Sequence, residues 1–196
     1  MLIKKEQAAA IWVYENCFDP SNFIELLEEE AEKEWGYVSW KSSSTGSDGG
    51  HVVSDYRTSL EMPVHSLLEP KINETMKPIA DAFIPIFNNI DKVVWDYREC
   101  FGLHLGSLDG LQMLKYMNGG EYHNHYDHAP DNSRVLSMVA SFSDDYEGGE
   151  LDFAFFDKSV KLRAGSVILF PSNFPYTHIA RPVLRGTKYS LVTWFK

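Results

Sequence analysis

The stretch Tyr116-Met-Asn-Gly-Gly-Glu-Tyr-His-Asn-His-Tyr-Asp127 is the most informative part of this sequence. Within it, His125 and Asp127 are two residues apart, and side chains at positions i and i+2 of a β-strand point to the same face. The two side chains can therefore reach one metal ion together. His178, in Pro-Tyr-Thr-His178, is the best candidate for a third ligand. Two imidazoles and one carboxylate leave open positions on a metal, which suits non-heme Fe(II).

Other histidines in this region compete for the same role. His123 shares the strand face of His125 and Asp127, whereas His128 points the other way if the strand continues. Some of these histidines are expected to be ordinary surface residues. Zinc also accepts two histidines and a carboxylate, so the ligand set alone leaves the metal open.

A longer series of residues resembles a known family. Residues 116–127 fit the pattern Tyr-x2-Gly-x2-Tyr-x2-His-x-Asp, and His178, Lys188 and Trp194 follow in order. This series resembles the prolyl 4-hydroxylase group of the Fe(II)/2-oxoglutarate dioxygenases. A lone His-x-Asp is a weak signal, but the combined series is specific. The likeness covers about the second half of the chain, with an echo at Tyr56-Arg-Thr-Ser59.

The resemblance implies a role for each matching residue. His125, Asp127 and His178 would bind Fe(II), and Lys188 would pair with the distal carboxylate of 2-oxoglutarate. A buried lysine is costly without an anionic partner, which favours this role over a surface lysine at a strand start. Three further residues complete the predicted cosubstrate site: Tyr116 as a hydrogen-bond donor, Ser137, and Trp194 as a wall that could equally be plain core.

The expected substrate contacts are Arg57, Tyr122 and Arg134, which match the family by position. For the two arginines the alternative is a surface salt bridge. The Gly-rich residues 41–50 precede the Arg57 segment, where the family has a mobile segment that closes over the peptide. We therefore expect a peptide to lie beneath residues 42–50, with an idle surface loop as the alternative.

The activity implied by the resemblance is hydroxylation of a C–H bond, with 2-oxoglutarate and O2 converted to succinate and CO2. Prolyl residues of a peptide or protein are the expected substrate, and ascorbate is a candidate reductant. The alternatives are a hydroxylase of a free amino acid or other small molecule, a nucleic-acid demethylase, and a non-catalytic metal-binding or ligand-binding jelly roll. Arg181 and Arg185 do not take the place of Lys188, which argues against a demethylase, and Asp127 argues against a halogenating relative.

Composition limits the remaining possibilities. The chain has 196 residues, of which 44% are hydrophobic and 23% charged, so we expect one globular domain. Its formal net charge of -10 opposes nucleic acid as a partner and favours a neutral or basic polypeptide. Two cysteines, Cys17 and Cys100, and no apolar leader or membrane span indicate a cytoplasmic protein. The oligomeric state stays open.

We predict a mainly β fold with flanking helices (α+β). A double-stranded β-helix (jelly roll) over residues of about 92–196 would carry N-terminal helices, within residues of about 1–91, on one sheet. The N-terminal part should contain a strand at 11–14, a helix opened by Asp19 and Pro20 and reaching Trp35, a strand at 52–60 and a helix at 66–87. Strands are expected at 93–97, 111–116, 134–142, 151–156, 160–162, 166–170, 178–182 and 188–195.

Overall fold

The structure of the protein, a computed structural model, describes residues 3–45, 53–128 and 133–196. These ranges contain two α-helices, α1 (Phe23–Ala31) and α2 (Lys77–Phe101), and two 3-10 turns at His65–Leu68 and Ala154–Phe156. Their strands are β1 (Ile3–Ala8), β2 (Ile11–Glu15), β3 (Lys41–Ser42), β4 (Leu60–Pro63), β5 (Leu108–Tyr116), β6 (Tyr122–His125), β7 (Leu136–Ser141), β8 (Glu147–Gly148), β9 (Leu151–Phe153), β10 (Lys158–Val160), β11 (Val167–Pro171), β12 (His178–Ala180), β13 (Val183–Arg185) and β14 (Lys188–Phe195).

The strands form two facing antiparallel sheets and one short ribbon. The larger sheet has the order β1-β2-β11-β7-β14-β5-β4-β3, and the smaller sheet has the order β10-β9-β12-β6. Strands β13 and β8 pair separately. A cavity between the sheets is lined by residues of β5, β7 and β14 on one side and of β6, β9 and β12 on the other. This is the predicted jelly-roll architecture.

The helices cover the outer face of the larger sheet. Buried positions of α2 recur every three or four residues, from Ile79 and Phe83 to Ile90 and Tyr97, which gives the helix one apolar face. That face packs with α1 and with sheet residues such as Met113 in one core cluster. Because neighbouring strand positions face opposite ways, the alternate residues of β5 and β14 are left for the cavity side. The expectation of helices packed on one sheet is confirmed.

The prediction was wrong about where the second helix lies. The predicted helix at 66–87 is a short 3-10 turn followed by α2, which begins at Lys77 with Pro78 in its first turn and continues to Phe101. The predicted strand at 93–97 is therefore helical, because its apolar residues complete the buried stripe of α2. The helix ends at Gly102, whose φ of 61 is the left-handed conformation that glycine adopts readily. The proposed division near residue 91 falls inside this helix.

The N-terminal region also differs from the prediction. Polar strand β1 was not predicted, and it pairs with β2 at the edge of the larger sheet. Helix α1 begins after Asn22, while Asp19 accepts a hydrogen bond from the Ser21 amide at 3.0 Å instead of capping the helix. The helix ends at Ala31, so Trp35 lies outside it and is 88% exposed.

The segment from 41 to 60 is less regular than expected. Instead of a strand at 52–60, isolated bridges join Arg57 to Ser54 and Tyr122, and the strand itself is β4. In the predicted loop, Lys41 and Ser42 form β3 and pair with β4, while residues 46–50 lie outside the described part of the chain.

No helix in the described ranges is both long and apolar enough to cross a membrane. Cys17 is a buried free thiol and Cys100 an exposed one.

The contact between the helices gives a stability test. Phe83 of α2 is fully buried and stacks on Phe23 of α1 with ring centroids 4.9 Å apart. We expect Phe83→Ala to lower the free energy of unfolding by about 3–5 kcal/mol, measured by urea denaturation, because it leaves a cavity in the core. The neighbouring Ile84 is 41% exposed, so Ile84→Ala is the matched control and should cost less than about 1 kcal/mol. Equal losses would contradict this account of the core.

Candidate metal centre and cosubstrate cavity

Two paired strands bring the predicted metal ligands together. In the pairing of β6 with β12, His125 lies directly opposite His178. Asp127 follows β6, and its backbone N–H donates to the Ser172 carbonyl at 3.0 Å, which fixes the turn after the strand. The carboxylate oxygens of Asp127 lie 3.6 Å from His125 Nε2 and 3.7 Å from His178 Nε2. All three ligand atoms lie within 4.8 Å of one another, as a metal site requires.

In both histidines, Nε2 is the ring nitrogen that is available to bind a metal. Nδ1 of His125 lies 2.7 Å from the His123 carbonyl, and Nδ1 of His178 lies 3.2 Å from the Tyr176 carbonyl. A carbonyl only accepts hydrogen bonds, so each Nδ1 carries the proton and each Nε2 keeps a free lone pair. Hydrogen bonds of this kind orient metal-binding imidazoles.

Asp127 is held by two serines. Ser137 Oγ donates to Asp127 Oδ2 at 2.7 Å and lies 2.9 Å from Ser172 Oγ. Burial alone would raise the pKa of Asp127, but the neighbouring imidazoles of His178 and His125 and the Ser137 hydroxyl hold that pKa below its usual value. The carboxylate is thus ionised and oriented.

Aromatic rings surround the histidines. Tyr122 stacks on His125 with ring centroids 3.5 Å apart, and Phe170 meets His178 edge-on at 4.8 Å. Burial is the main cause that lowers the pKa of His125 to about 3, so its imidazole is neutral. A neutral imidazole is the form that binds a metal.

The two other candidate histidines lie outside this cluster. His123 is exposed, with Nε2 3.4 Å from Glu121 Oε1. His128 Nδ1 lies 3.0 Å from the Arg134 carbonyl. Among the described residues, only His125, Asp127 and His178 form a group with the geometry of a metal site.

One cavity of ≈ 210 Å³ collects nearly all predicted site residues. Nine of the ten line it: Arg57, Tyr116, Tyr122, His125, Asp127, Arg134, His178, Lys188 and Trp194. The exception is Ser137, which was expected to touch the cosubstrate and instead lies behind Asp127. The structure therefore gives Ser137 the role of orienting the carboxylate.

Lys188 forms the basic part of the cavity. It is 6% exposed, and its Nζ donates to the Gly149 carbonyl at 2.7 Å. Burial, followed by the nearby charge of Lys161, lowers the pKa of Lys188 to about 8, against the opposing effect of Glu150. A bound anion would remove this penalty because it would supply the missing opposite charge.

The turn at Gly148 and Gly149 makes room for this lysine. Both glycines have a positive φ, 73° at Gly148 and 68° at Gly149, a conformation that glycine adopts readily. A Cβ on Gly149 would lie 2.9 Å from the Tyr146 ring and 3.2 Å from Lys188 Cδ. Any larger residue at position 149 would displace the side chain that carries the cavity's ammonium group.

The predicted substrate residues lie along the walls of the cavity. Arg57 is 8% exposed, and its guanidinium lies 5.0 Å above the Tyr122 ring and 3.6 Å from Glu61. Arg134 stacks at 3.7 Å on Trp194 and donates to Asp109 at 2.7 Å. Both arginines thus have protein partners, as the salt-bridge alternative required, and both also line the cavity.

Sequence reasoning missed several polar residues of the site. Glu61, Gln112 and Ser190 line the cavity, and Ser172 supports Asp127 through Ser137. For Ser190 a signal existed, because it lies two residues from Lys188 on a predicted strand and so shares its face. For Ser172 no local pattern could show the contact.

Comparisons with known proteins agree with this geometry. Residues 111–196 match the family model described as the 2OG-Fe(II) oxygenase superfamily. The chain is 35% identical over 122 residues to a PKHD-type hydroxylase of Delftia acidovorans, covering 54% of this chain and 53% of that protein. It is 30% identical over 142 residues to probable prolyl 4-hydroxylase 3 of Arabidopsis thaliana, covering 56% and 48%. The chain thus spans about half the length of these relatives.

Solved structures share the fold along most of the chain. A prolyl-4-hydroxylase of Pseudomonas putida has a TM-score of 0.65 at 18% sequence identity. The superposition covers 95% of this chain and 92% of that one. A prolyl hydroxylase of Trichoplax adhaerens, in complex with a peptide fragment of hypoxia inducible factor, has a TM-score of 0.71 at 12% identity, covering 95% of this chain and 83% of that one. The resemblance inferred from the sequence is confirmed: this chain resembles the 2OG-Fe(II) oxygenases, and among them the prolyl hydroxylases.

Proposed function

We propose that the protein is an Fe(II)- and 2-oxoglutarate-dependent dioxygenase that hydroxylates prolyl residues in a peptide or protein. The observation that carries the proposal is the single cavity in which His125, Asp127 and His178 lie together and Lys188 supplies a buried cation. Such a cavity has separate places for a metal and for the far carboxylate of a dicarboxylic acid.

The donor set fits Fe(II). His125 and His178 each offer a free Nε2 lone pair, and Asp127 is ionised, so no ligand must lose a proton first. Three protein ligands leave coordination positions for a cosubstrate and O2. Ser137 and the carbonyls behind the two histidines hold the three ligands in place.

Besides a metal site, the proposed function needs a site for an anion, and Lys188 provides it. Its ammonium group is buried and its described partner is the Gly149 carbonyl, so two of its three N–H groups can donate to a carboxylate. Tyr116 lies directly opposite Lys188 in the pairing of β5 with β14, and its ring closes that side of the cavity.

When bound, the iron and 2-oxoglutarate supply the oxidising chemistry that places a hydroxyl on a C–H bond. The protein residues orient the reactants and exclude water. The rings of Tyr122 and Phe170 shield the histidines, and Val139, Leu151 and Val192 make part of the cavity wall apolar.

The peptide substrate is supported by the cavity rim and by charge. Tyr122 and Arg57 place an aromatic ring and a guanidinium on one wall of the cavity, where the ring can contact a prolyl side chain and the guanidinium can donate to a peptide carbonyl. The net charge of -10 favours neutral or basic polypeptides. The relatives named as prolyl hydroxylases support the same substrate class.

The direct test is turnover of 2-oxoglutarate by the Fe(II)-loaded protein with a panel of proline-containing peptides and free amino acids. We expect succinate formation coupled to a gain of one oxygen atom by a peptide, read by mass spectrometry. Hydroxylation of free amino acids alone would replace the peptide proposal by the small-molecule alternative. Absence of succinate with every substrate would favour a non-catalytic jelly roll.

Substitution of the carboxylate tests the metal site. Asp127→Ala should abolish Fe(II) binding, or weaken it enough to abolish turnover, because a charged ligand is lost. His123→Ala is the matched control: this side chain is exposed and outside the cluster, and its backbone carbonyl still holds His125. Metal affinity of both variants can be followed by titration with Co(II) as a spectroscopic probe. Normal binding by Asp127→Ala, or loss in His123→Ala, would contradict the assignment.

Substitution of the buried lysine tests the anion site. A hydrogen bond to a charged group contributes about 1.5–3 kcal/mol, so Lys188→Ala should raise the 2-oxoglutarate requirement by roughly tenfold to over a hundredfold. Metal affinity should stay nearly unchanged, since Lys188 is not among the ligand atoms. Lys158→Ala, at an exposed position of β10, serves as the control. An unaltered 2-oxoglutarate titration would remove Lys188 from the site.

A further inference from the structure

Four aromatic side chains form a ridge beside the metal centre, outside the cavity. Phe155 and Phe174 are 64% and 74% exposed, and their rings meet edge to face with centroids 5.8 Å apart. Phe155 also contacts Phe156 at 5.3 Å, and Phe156 contacts Tyr176 at 5.0 Å. None of the four is among the described residues that line the cavity. We refer to Phe155, Phe156, Phe174 and Tyr176 as the aromatic ridge.

The inner rings of the ridge hold the outer rings at the surface. Phe156 and Tyr176 are partly buried and pack against the core cluster that includes residues of β9 and β11. Because Phe155 contacts both Phe156 and Phe174, the exposed rings form one contiguous apolar patch. Isolated exposed apolar side chains, such as the 88% exposed Trp35, are ordinary, whereas contiguous apolar patches mark interaction sites.

Both segments of the ridge adjoin the metal centre. Strand β9 ends at Phe153, whose ring centroid lies 5.8 Å from that of His178, and Phe155 follows two residues later. Tyr176 precedes His178 by two residues, and its carbonyl lies 3.2 Å from His178 Nδ1. The two segments that carry the ridge are thus the same segments that contact this imidazole.

The exposed end of the cavity lies at the same end of the sandwich as the ridge. The cavity runs along β14 from Lys188, which is 6% exposed, to Trp194, which is partly exposed. Trp194 lies opposite Ser137 in the pairing of β14 with β7, and Ser137 donates to Asp127, so the metal ligands lie towards the exposed end. Ser172, at the start of one ridge segment, accepts the Asp127 N–H at 3.0 Å.

The cavity itself is too small for more than a short part of a peptide. Its volume of ≈ 210 Å³ is below the roughly 300–1,000 Å³ of pockets that enclose a drug-sized ligand, and the metal and the cosubstrate share it. The residues that flank the hydroxylated one must therefore lie on the surface at the exposed end. An extended chain advances about 3.3–3.6 Å per residue, and the ridge begins two residues from His178, so a peptide reaches it within about three to six residues.

We propose that the aromatic ridge binds apolar side chains that flank the hydroxylated residue, and so selects extended polypeptides with such a side chain about three to six positions away. The inference rests on the proposed function and adds a sequence requirement to it. The contact removes water from the exposed rings and from the substrate side chain, and the gain in affinity scales with the apolar area that is buried. Aromatic rings suit this role because they have few rotatable bonds and lose little entropy on binding.

The test uses peptides of glycine and serine around one central proline, in which a single leucine is moved through every position on both sides. KM and kcat for hydroxylation are measured by mass spectrometry with the Fe(II)-loaded protein. Affinity for the Mn(II)-loaded protein with 2-oxoglutarate is measured by fluorescence anisotropy of labelled peptides. We expect a leucine about three to six positions from the proline, on one side, to lower KM and Kd about fivefold to tenfold and to leave kcat unchanged.

Substitutions in the ridge should remove this preference. In Phe155→Ser and Phe174→Ser, the KM of the best leucine peptide should rise to that of the peptide without leucine. Mn(II) binding and peptide-independent succinate formation should stay unchanged, since neither side chain lines the cavity. Phe174→Leu keeps an apolar side chain and should retain most of the preference. Trp35→Ser removes an exposed aromatic residue outside the ridge and is the matched control, with no expected effect.

The outcomes are distinct. Equal affinity for leucine and serine at every position would overturn the inference while leaving the proposed function intact, and so would a preference that survives in both serine variants. Self-association of the parent protein that Phe174→Ser abolishes, measured by analytical ultracentrifugation, would make the ridge an interface between copies of this chain and would also overturn the inference. If no proline-containing peptide is bound or hydroxylated, the proposed function fails and this inference fails with it.

Discussion

The backbone pairing of His178 with His125 is the constraint on which the rest of the site depends. These residues are far apart in the sequence and meet because β12 and β6 pair antiparallel with His178 opposite His125, next to a register irregularity before Ala180. A shift of that register by one residue would turn one imidazole to the other face of the smaller sheet. The carbonyls of His123 and Tyr176, which orient the two rings, belong to the same backbone segments, so register and tautomer are set together.

Burial in the cavity has a favourable effect at the histidines and an unfavourable effect at Lys188. At the histidines, desolvation is useful because it keeps His125 neutral, while the charge of Asp127 is stabilised by its neighbours. At Lys188 desolvation is costly, since the described chain gives the cation the Gly149 carbonyl and the Tyr116 ring as partners but no carboxylate within salt-bridge distance. The larger sheet can bear that cost because its other face packs against α2 in an extensive apolar core. The free energy gained by apolar packing on one face of the sheet thus offsets the cost of the buried charge on the other face.

Local spacing explains what the sequence predicted well. His125 and Asp127 are two residues apart, and Lys188 begins an alternating strand, so each pattern could be interpreted without knowing the fold. Partner choice is different, because it depends on which strands become neighbours: Ser137 faces Asp127 only after β7 and β6 have been placed in opposite sheets. The strand predicted at 93–97 was wrong for a related reason. Its β-prone residues are the end of a helical stripe that is visible only over the full length of α2.

The stacking of Tyr122 on His125 has a consequence for how substrate recognition is measured. The ring stacks on a candidate metal ligand and also lies 5.0 Å from the Arg57 guanidinium. A kinetic defect in a Tyr122 variant therefore combines a changed wall of the cavity with a freed imidazole, and the two cannot be separated from rates alone. The same contact also offers a way to detect peptide binding. A peptide that displaces the Tyr122 ring would alter the surroundings of His125, and the optical spectrum of a bound Co(II) ion would change as a result.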